Sequence, residues 1–218
     1  MYDVMVIGGG VIGGAVLREL SKYRLKVCLV ERESDVAMGA SKANSGIVHA
    51  GFDAAEGSLK AKFNVSGNEM MEEYAEELGV KFSRIGSLVL AFSEEDERTL
   101  QTLRARGEKN GVKGLRVIGQ RQVREMEPNV SRAAVGALYA PTGGIVCPYE
   151  LTIAAIGNAM DNGAELYTDF DVMKIEKENG AFAVFDAEGR ALRAKLLINC
   201  AGLSAEKIAW LCGDTSIH

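Results

Sequence analysis

Apolar and polar positions alternate along the chain in two rhythms. Val4–Ile7 is a short unbroken apolar run that stops at glycines, and Val27–Val30 is a second one that stops at Glu31. Between them Ile12, Val16 and Leu20 recur every four residues, which predicts a helix between two buried strands. Residues 58–80 predict another helix with Leu59, Phe63, Met70, Tyr74 and Leu78 near one face. Its methionines are expected to fill core, and Glu72, Glu73, Glu76 and Glu77 to form a solvated face. SRIGSLVLAF (83–92) reads as one strand, and 93–111 as a capped polar helix anchored by Leu100 and Leu103. AAVGALYAP (133–141) is a further strand, 148–163 a helix and AELYT (164–168) a strand. Residues 171–200 read as hairpins turning at Asn179-Gly180 and Glu188-Gly189. The sequence has no internal repeat and no low-complexity linker.

The first 31 residues carry the strongest chemistry. Gly8, Gly10 and Gly13 fill G-x-G-x-x-G after a strand and before a helix that opens with Val11 and Ile12. The first glycine permits the tight turn, the second lets a pyrophosphate approach the backbone, and the third lets helix and strand pack closely. The helix N-terminus then faces the phosphates. Glu31 closes the second strand where a carboxylate would bind a ribose hydroxyl pair. The order of strand, glycines, helix, strand and acid favours dinucleotide binding over a purely structural βαβ unit. LLINCAG (196–202) looks like a further strand end meeting the cofactor, and one nucleotide fold interrupted by an insertion fits FAD better than NAD.

Composition narrows the field only modestly. The 218 residues are 47% hydrophobic and 25% charged, as expected of a globular protein with a real core. A net charge of −5 offers nucleic acid nothing to bind strongly. No apolar run is long enough for a membrane span, and Met1 leads straight into a strand, so no signal peptide and a cytoplasmic location are expected. Cys28, Cys147, Cys200 and Cys212 are scattered without a C-x-x-C pair and read as reduced core thiols, with no metal site.

The segment SKANSGIVHAG (41–51) is small, polar and bounded by glycine, and holds one of two histidines. With VIGGGVIGGAV, ERESDV, SLKAK, IGSLVLAF, EPNV, GALYAPTGGIVCPYELT and LLINCAGLSAEKIA, it resembles the D-amino acid oxidase superfamily of flavoproteins. The likeness runs along almost the whole chain. It is greatest to the branch containing anaerobic-type glycerol-3-phosphate dehydrogenases and L-2-hydroxyglutarate oxidases.

The resemblance implies an α/β fold: a Rossmann-like FAD-binding domain of the glutathione-reductase type with an inserted, partial α+β substrate domain. The FAD-binding domain is expected to be discontinuous, over 1–80 and 145–212, with the substrate portion at 81–144. By position, Glu31 should hold the adenosine ribose with Arg32 beside it. Val172 should present its backbone to the adenine, and Ala201 and Gly202 should close on the pyrophosphate. For Val172 and Ala201 ordinary strand packing is the alternative. Ser41, Asn44, Ser45 and Gly46 would be small or hydrogen-bonding because the isoalloxazine and ribityl chain lie against them.

His49 has three readings: a turn histidine satisfied by backbone, a base or polar neighbour at the flavin, and a covalent attachment point. His218 ends the chain, so His49 is the histidine expected to help catalysis. The implied activity is oxidation of a small anionic 2-hydroxy compound, glycerol 3-phosphate first, by hydride transfer to flavin N5. The alternatives are L-2-hydroxyglutarate oxidation, an amine-oxidising relative, and a nucleotide-binding fragment without catalysis. Electrons would pass to a quinone or a partner subunit, which could hold the protein at a membrane surface. Because family members continue past the AG turn with further substrate-domain strands, the chain is expected to be the N-terminal part of a longer enzyme. Trp210 and Leu211 would then either await a partner or pack on the existing domain.

Overall fold

The computed structural model describes residues 1–216. His218 lies outside the described residues. The chain opens with β1 (Tyr2–Ile7), α1 (Val11–Ser21) and β2 (Val27–Val30). It continues through β3 (Ile47–Val48), α2 (Leu59–Glu77), β4 (Phe82–Ser83), β5 (Ser87–Ala91) and α3 (Glu94–Lys109). Next come β6 (Arg116–Gly119), α4 (Gln120–Met126), β7 (Gly136–Ala140) and β8 (Gly144–Val146). The last elements are α5 (Pro148–Asp161), β9 (Glu165–Tyr167), β10 (Val172–Glu178), β11 (Ala181–Asp186), β12 (Ala191–Asn199) and α6 (Ala205–Leu211).

These elements form two compact units, one from residues 1–45 with the described residues from 148 onward and the other from 46–147. The first is built on a six-stranded sheet in the order β10-β11-β12-β1-β2-β9. β12, β1, β2 and β9 run parallel, while β10 and β11 are antiparallel additions at one edge. Both faces of the parallel part are covered. Met5, Ile7, Cys28 and Val30 pack toward Phe170 and Ile208, and Val4, Val6, Val27 and Leu29 toward Leu17 and Ile156. That two-sided burial explains why β1 and β2 read as unbroken apolar runs. The predicted hairpin turns are in place, with Asn179, Gly180 and Gly189 at positive φ.

The buried face of α1 differs from the expected stripe. Gly13, Gly14, Leu17 and Arg18 are buried, whereas Ile12 is 65% exposed. The helix packs on α5 so closely that a Cβ at Gly14 would lie 3.1 Å from Ile156. Close packing has drawn the small residues inward.

The second unit holds two three-stranded antiparallel sheets, β3-β8-β4 and β5-β7-β6. The expected strand over 83–92 is broken into β4 and β5, because Gly86 adopts φ +75 between them. β3, β6, α4 and β8 were not anticipated. α3 follows expectation: the Ser93 hydroxyl accepts from the Asp96 N–H, and Leu100 is buried.

α2 is rotated relative to its predicted face. Its buried residues are Ala61, Asn68 and Ala75, while Leu59, Phe63 and Met70 are 62–70% exposed, so Met70 is no core filler. Residues 46–80 also cluster with 81–147 and not with the nucleotide fold to which the sequence assigned them. β3 pairs with β8, and Asn110 of α3's C-terminus donates to the Gly51 and Ala54 carbonyls, which ties the segment there. Of the four cysteines, all free, only Cys28 is fully buried; Cys147 and Cys212 are exposed and so are not core thiols. Among the described residues no helix is long and apolar enough to cross a membrane.

Candidate functional site

The site is built where the parallel strands of the first unit end. After Ile7 the chain turns at Gly8, whose φ of +111 suits only glycine and whose Cβ would sit 2.4 Å from the Cys200 carbonyl oxygen. A Cβ at Gly13 would sit 1.9 Å from the Gly8 carbonyl oxygen. These two glycines let strand, turn and helix close on one another. Gly10 is different. Its φ is −82, and an added Cβ would meet only the Ser41 hydroxyl, at 3.1 Å. Its missing side chain leaves space on the open side of the turn.

The N-terminus of α1 faces that open side. α1 starts with Gly10 as its N-cap, with no side chain capping it and no acid in its first turn. The Val11 N–H donates to the Ser41 hydroxyl at 2.9 Å. The remaining first-turn N–H groups and the positive end of the helix dipole meet a cavity of about 340 Å³, within the range of small-molecule sites.

Around this cavity the structure gathers Gly8, Gly10, Val11 and Ile12 from the glycine turn. Glu31, Arg32 and Ser41 join them from the segment after β2, and Val172, Ala201 and Gly202 from the far strand ends. Glu31 is held rigidly, with Oε2 accepting from the Gly9 N–H at 2.6 Å and Oε1 from the Glu33 N–H at 3.0 Å. Each carboxylate oxygen retains a lone pair for a further donor, as a ribose diol requires. Arg32 pairs with Glu33 at 3.0 Å and reaches Ser204. Val172 is buried at the start of β10, beside Phe170, whose N–H donates to the Glu31 carbonyl at 2.9 Å. The uncapped helix end for phosphate, the anchored carboxylate for ribose and the apolar wall at Phe170 and Val172 together fit the ADP half of FAD.

Other predicted residues lie off this lining. Gly13 is inside, packed on Gly8. Asn44 and Ser45 are exposed in the same unit, and Asn44 Nδ2 donates to the Ala40 and Ser41 carbonyls, shaping the turn that carries Ser41. Gly46 and His49 belong to the second unit. Gly46 is buried at φ +65 with its carbonyl accepting from the Val146 N–H. His49 is exposed, and its carbonyl accepts from Asn68 Nδ2 at 3.0 Å.

The structure also brings in residues the sequence reading passed over. Met38 lines the cavity, as do Lys207 and Ile208 of α6. Lys207 lies 4.0 Å from Asp171, itself on the lining. The signal was the four-residue spacing of Leu203 and Lys207, and of Ser204 and Ile208, directly after the AG turn. Cys200 lines the cavity as well, but burial pushes its thiol pKa up, so it is no activated nucleophile. Burial likewise pushes Cys28 up to about 12. Among the described residues no cluster of His, Cys, Asp and Glu could hold a metal ion.

Comparison with known proteins agrees with this geometry. The chain is 47% identical over 208 residues to a glycerol 3-phosphate dehydrogenase of Caloramator mitchellensis, covering 95% of this chain and 43% of that protein. It is 30% identical to the mitochondrial L-2-hydroxyglutarate dehydrogenase of Homo sapiens, covering 98% of this chain and 49% of the other. The FAD-bound, dithionite-reduced L-α-glycerophosphate oxidase of Mycoplasma pneumoniae superposes with a TM-score of 0.92 at 30% identity, over 96% of this chain and 56% of that one. The chain thus spans about half the length of these relatives. Residues 3–216 match the DAO family, described as FAD dependent oxidoreductase, and with the glycine turn, the anchored Glu31 and the shared fold in agreement, the chain belongs to that family of flavoproteins.

Proposed function

We propose that the protein, with FAD in the cavity described above, oxidises a small anionic hydroxy compound, and that glycerol 3-phosphate is the compound it takes. The observation that carries this reading is the 47% identity to a glycerol 3-phosphate dehydrogenase in a chain with an FAD-shaped cradle. When bound, FAD supplies the acceptor for the hydride leaving the alcohol carbon. The chain's own share is binding, orientation and one proton. First-turn N–H groups of α1 would hold the pyrophosphate, with Ser41 ordering the loop against them, and Glu31 would hold the ribose. His49 takes the proton of the substrate hydroxyl, being an exposed imidazole on a backbone held by Asn68. An acceptor such as a quinone or a partner subunit would take the electrons from the bound flavin.

A second reading, oxidation of L-2-hydroxyglutarate, is favoured by the 30% identity to the human enzyme over nearly the whole chain. Amine oxidation is represented by the glycine oxidase of Geobacillus kaustophilus, which superposes with a TM-score of 0.90 at 28% identity. The FAD-loaded protein, mixed anaerobically with each compound, distinguishes the three. Bleaching of the visible flavin absorbance by glycerol 3-phosphate alone is expected. Bleaching by L-2-hydroxyglutarate or glycine instead moves the reading to that substrate, and bleaching by none leaves a nucleotide-binding module. His49→Ala should slow the bleaching by about 10²-fold while FAD affinity is kept.

A further inference from the structure

We propose that Asn68 is a positioning residue that fixes the backbone at His49 and thereby the direction of the imidazole. The inference rests on His49 serving the oxidation proposed above. Asn68 is 4% exposed in the middle of α2, on a face otherwise made of alanines. An amide buried there without partners would cost about 1–3 kcal/mol, so its bonding is informative. Both amide hydrogens are used: Nδ2 donates to the His49 carbonyl at 3.0 Å and to the Thr142 carbonyl at 2.9 Å. Oδ1 accepts from Arg84 Nη1 at 2.9 Å. A guanidinium can only donate, so this contact dictates which end of the amide faces Arg84 and which faces His49. Arg84 is itself held, donating to the Thr142 carbonyl at 2.7 Å and to the Asn68 carbonyl at 3.2 Å.

The local backbone shows what the clamp controls. Val48 and Ala50 are buried while Ile47 and His49 are exposed, an alternation that runs on past the end of β3. The carbonyl and Cβ of a residue branch from adjacent backbone atoms, so holding the His49 carbonyl limits how far the root of its side chain can swing. Farther along, Asn110 Nδ2 donates to the Gly51 and Ala54 carbonyls at 3.0 and 2.9 Å. Residues 49–54 are therefore stapled by two asparagine amides, and only that of Asn68 grips His49. A proton-transfer group must be held within about 0.5 Å of its working position. A side chain 19 positions along the sequence supplies that hold.

The test uses Asn68→Ser, which removes both amide donors to the carbonyls, and Asn68→Asp, which keeps the Oδ1 contact with Arg84 but offers the two carbonyls no donor. The chain has two histidines, so His49 ring signals can be assigned by comparison with His49→Ala and followed by NMR in the FAD-loaded protein. One side-chain rotamer is expected for His49 in the unsubstituted protein and averaging in both variants. Flavin reduction at saturating substrate should fall about 10-fold or more, with KM and FAD affinity kept within about 2-fold. A His49 ring already averaged in the unsubstituted protein, or unaltered in the variants, overturns the proposal. If Asn68→Ser does not fold, Asn68→Asp decides alone. Averaging without any loss of rate upholds the positioning role and overturns instead the role given to His49.

Discussion

β2 is buried at all four positions, whereas β8 buries Gly144 and Val146 and leaves Ile145 exposed between them. The first belongs to a parallel sheet covered on both faces, the second to a short antiparallel sheet with one face open. This difference governs how each unit displays its chemistry. In the parallel unit the cavity-lining groups follow from strand ends: a turn after β1, an acid after β2, a small-residue turn after β12. Backbone geometry places them, so a few glycines and one carboxylate suffice. In the other unit the candidate base sits on an irregular segment whose position depends on amides from α2 and α3. Chemistry there is placed by side chains far off in sequence.

The largest effects that sharpen this contrast fall within one motif. Gly13→Ala forces a methyl into the Gly8 carbonyl, which backbone cannot evade, and should cost about 3 kcal/mol or more. Gly10→Val meets only a serine hydroxyl, so the fold should keep its stability while FAD affinity falls at least about 100-fold, an effect of about 2.7 kcal/mol or more. Trp210, the single tryptophan, lies in the same unit and reports its unfolding in urea by fluorescence, and calorimetric titration with FAD supplies the second number. If Gly10→Val binds FAD normally, the pyrophosphate does not lie at this turn. If Gly13→Ala is as stable as the parent, the division between packing glycine and ligand glycine is wrong.

How much was legible in advance follows the same division. The βαβ start, Glu31, the hairpin turns and the capped α3 were all readable because local signals and burial agreed there. The break at Gly86 was not, since an apolar stretch crossing a glycine reads as continuous until the partner strands are known. The face of α2 was misjudged because periodicity marks which large residues share a side, not which side is buried. Alanines and one bonded asparagine occupy that interior, and their signal is weak in any sequence. Asn44, Ser45, Gly46 and His49 were named from likeness alone, and the cavity of the first unit does not include them.

A smaller effect concerns acid stability in the parallel unit. Burial works to raise the Asp186 pKa, but hydrogen bonds from Arg190 and from the Glu188 N–H outweigh it and hold the carboxyl below its ordinary value. A carboxyl depressed in the folded state adds stability that is present above the unfolded pKa of about 3.9 and is lost as pH falls through the folded value. Asp186→Asn should therefore lower the urea midpoint at pH 7, with the gap to the parent closing below about pH 4. A gap of the same size at pH 3 would mean that the loop is held by shape and not by charge.

The smallest expected effect bears on α2, where sequence and structure disagree most. If the four-residue spacing had correctly marked a core face, Phe63→Ser would remove a buried aromatic and cost about 3–5 kcal/mol, as truncations of buried Phe do. In the structure Phe63 is 62% exposed, with the Lys62 ammonium 5.7 Å from its ring centroid. Serine and phenylalanine have similar helix propensities, so the exchange costs the helix little. The predicted change in unfolding free energy is within about 0.5 kcal/mol. Urea denaturation followed by far-UV circular dichroism measures it, with Leu100→Ala, a truly buried anchor in α3, as the control expected to lose about 2–5 kcal/mol. A loss at Phe63 comparable to that at Leu100 would show that this face of α2 is covered in solution. The rotation of the helix would then have to be reassigned, and with it the inward direction of Asn68.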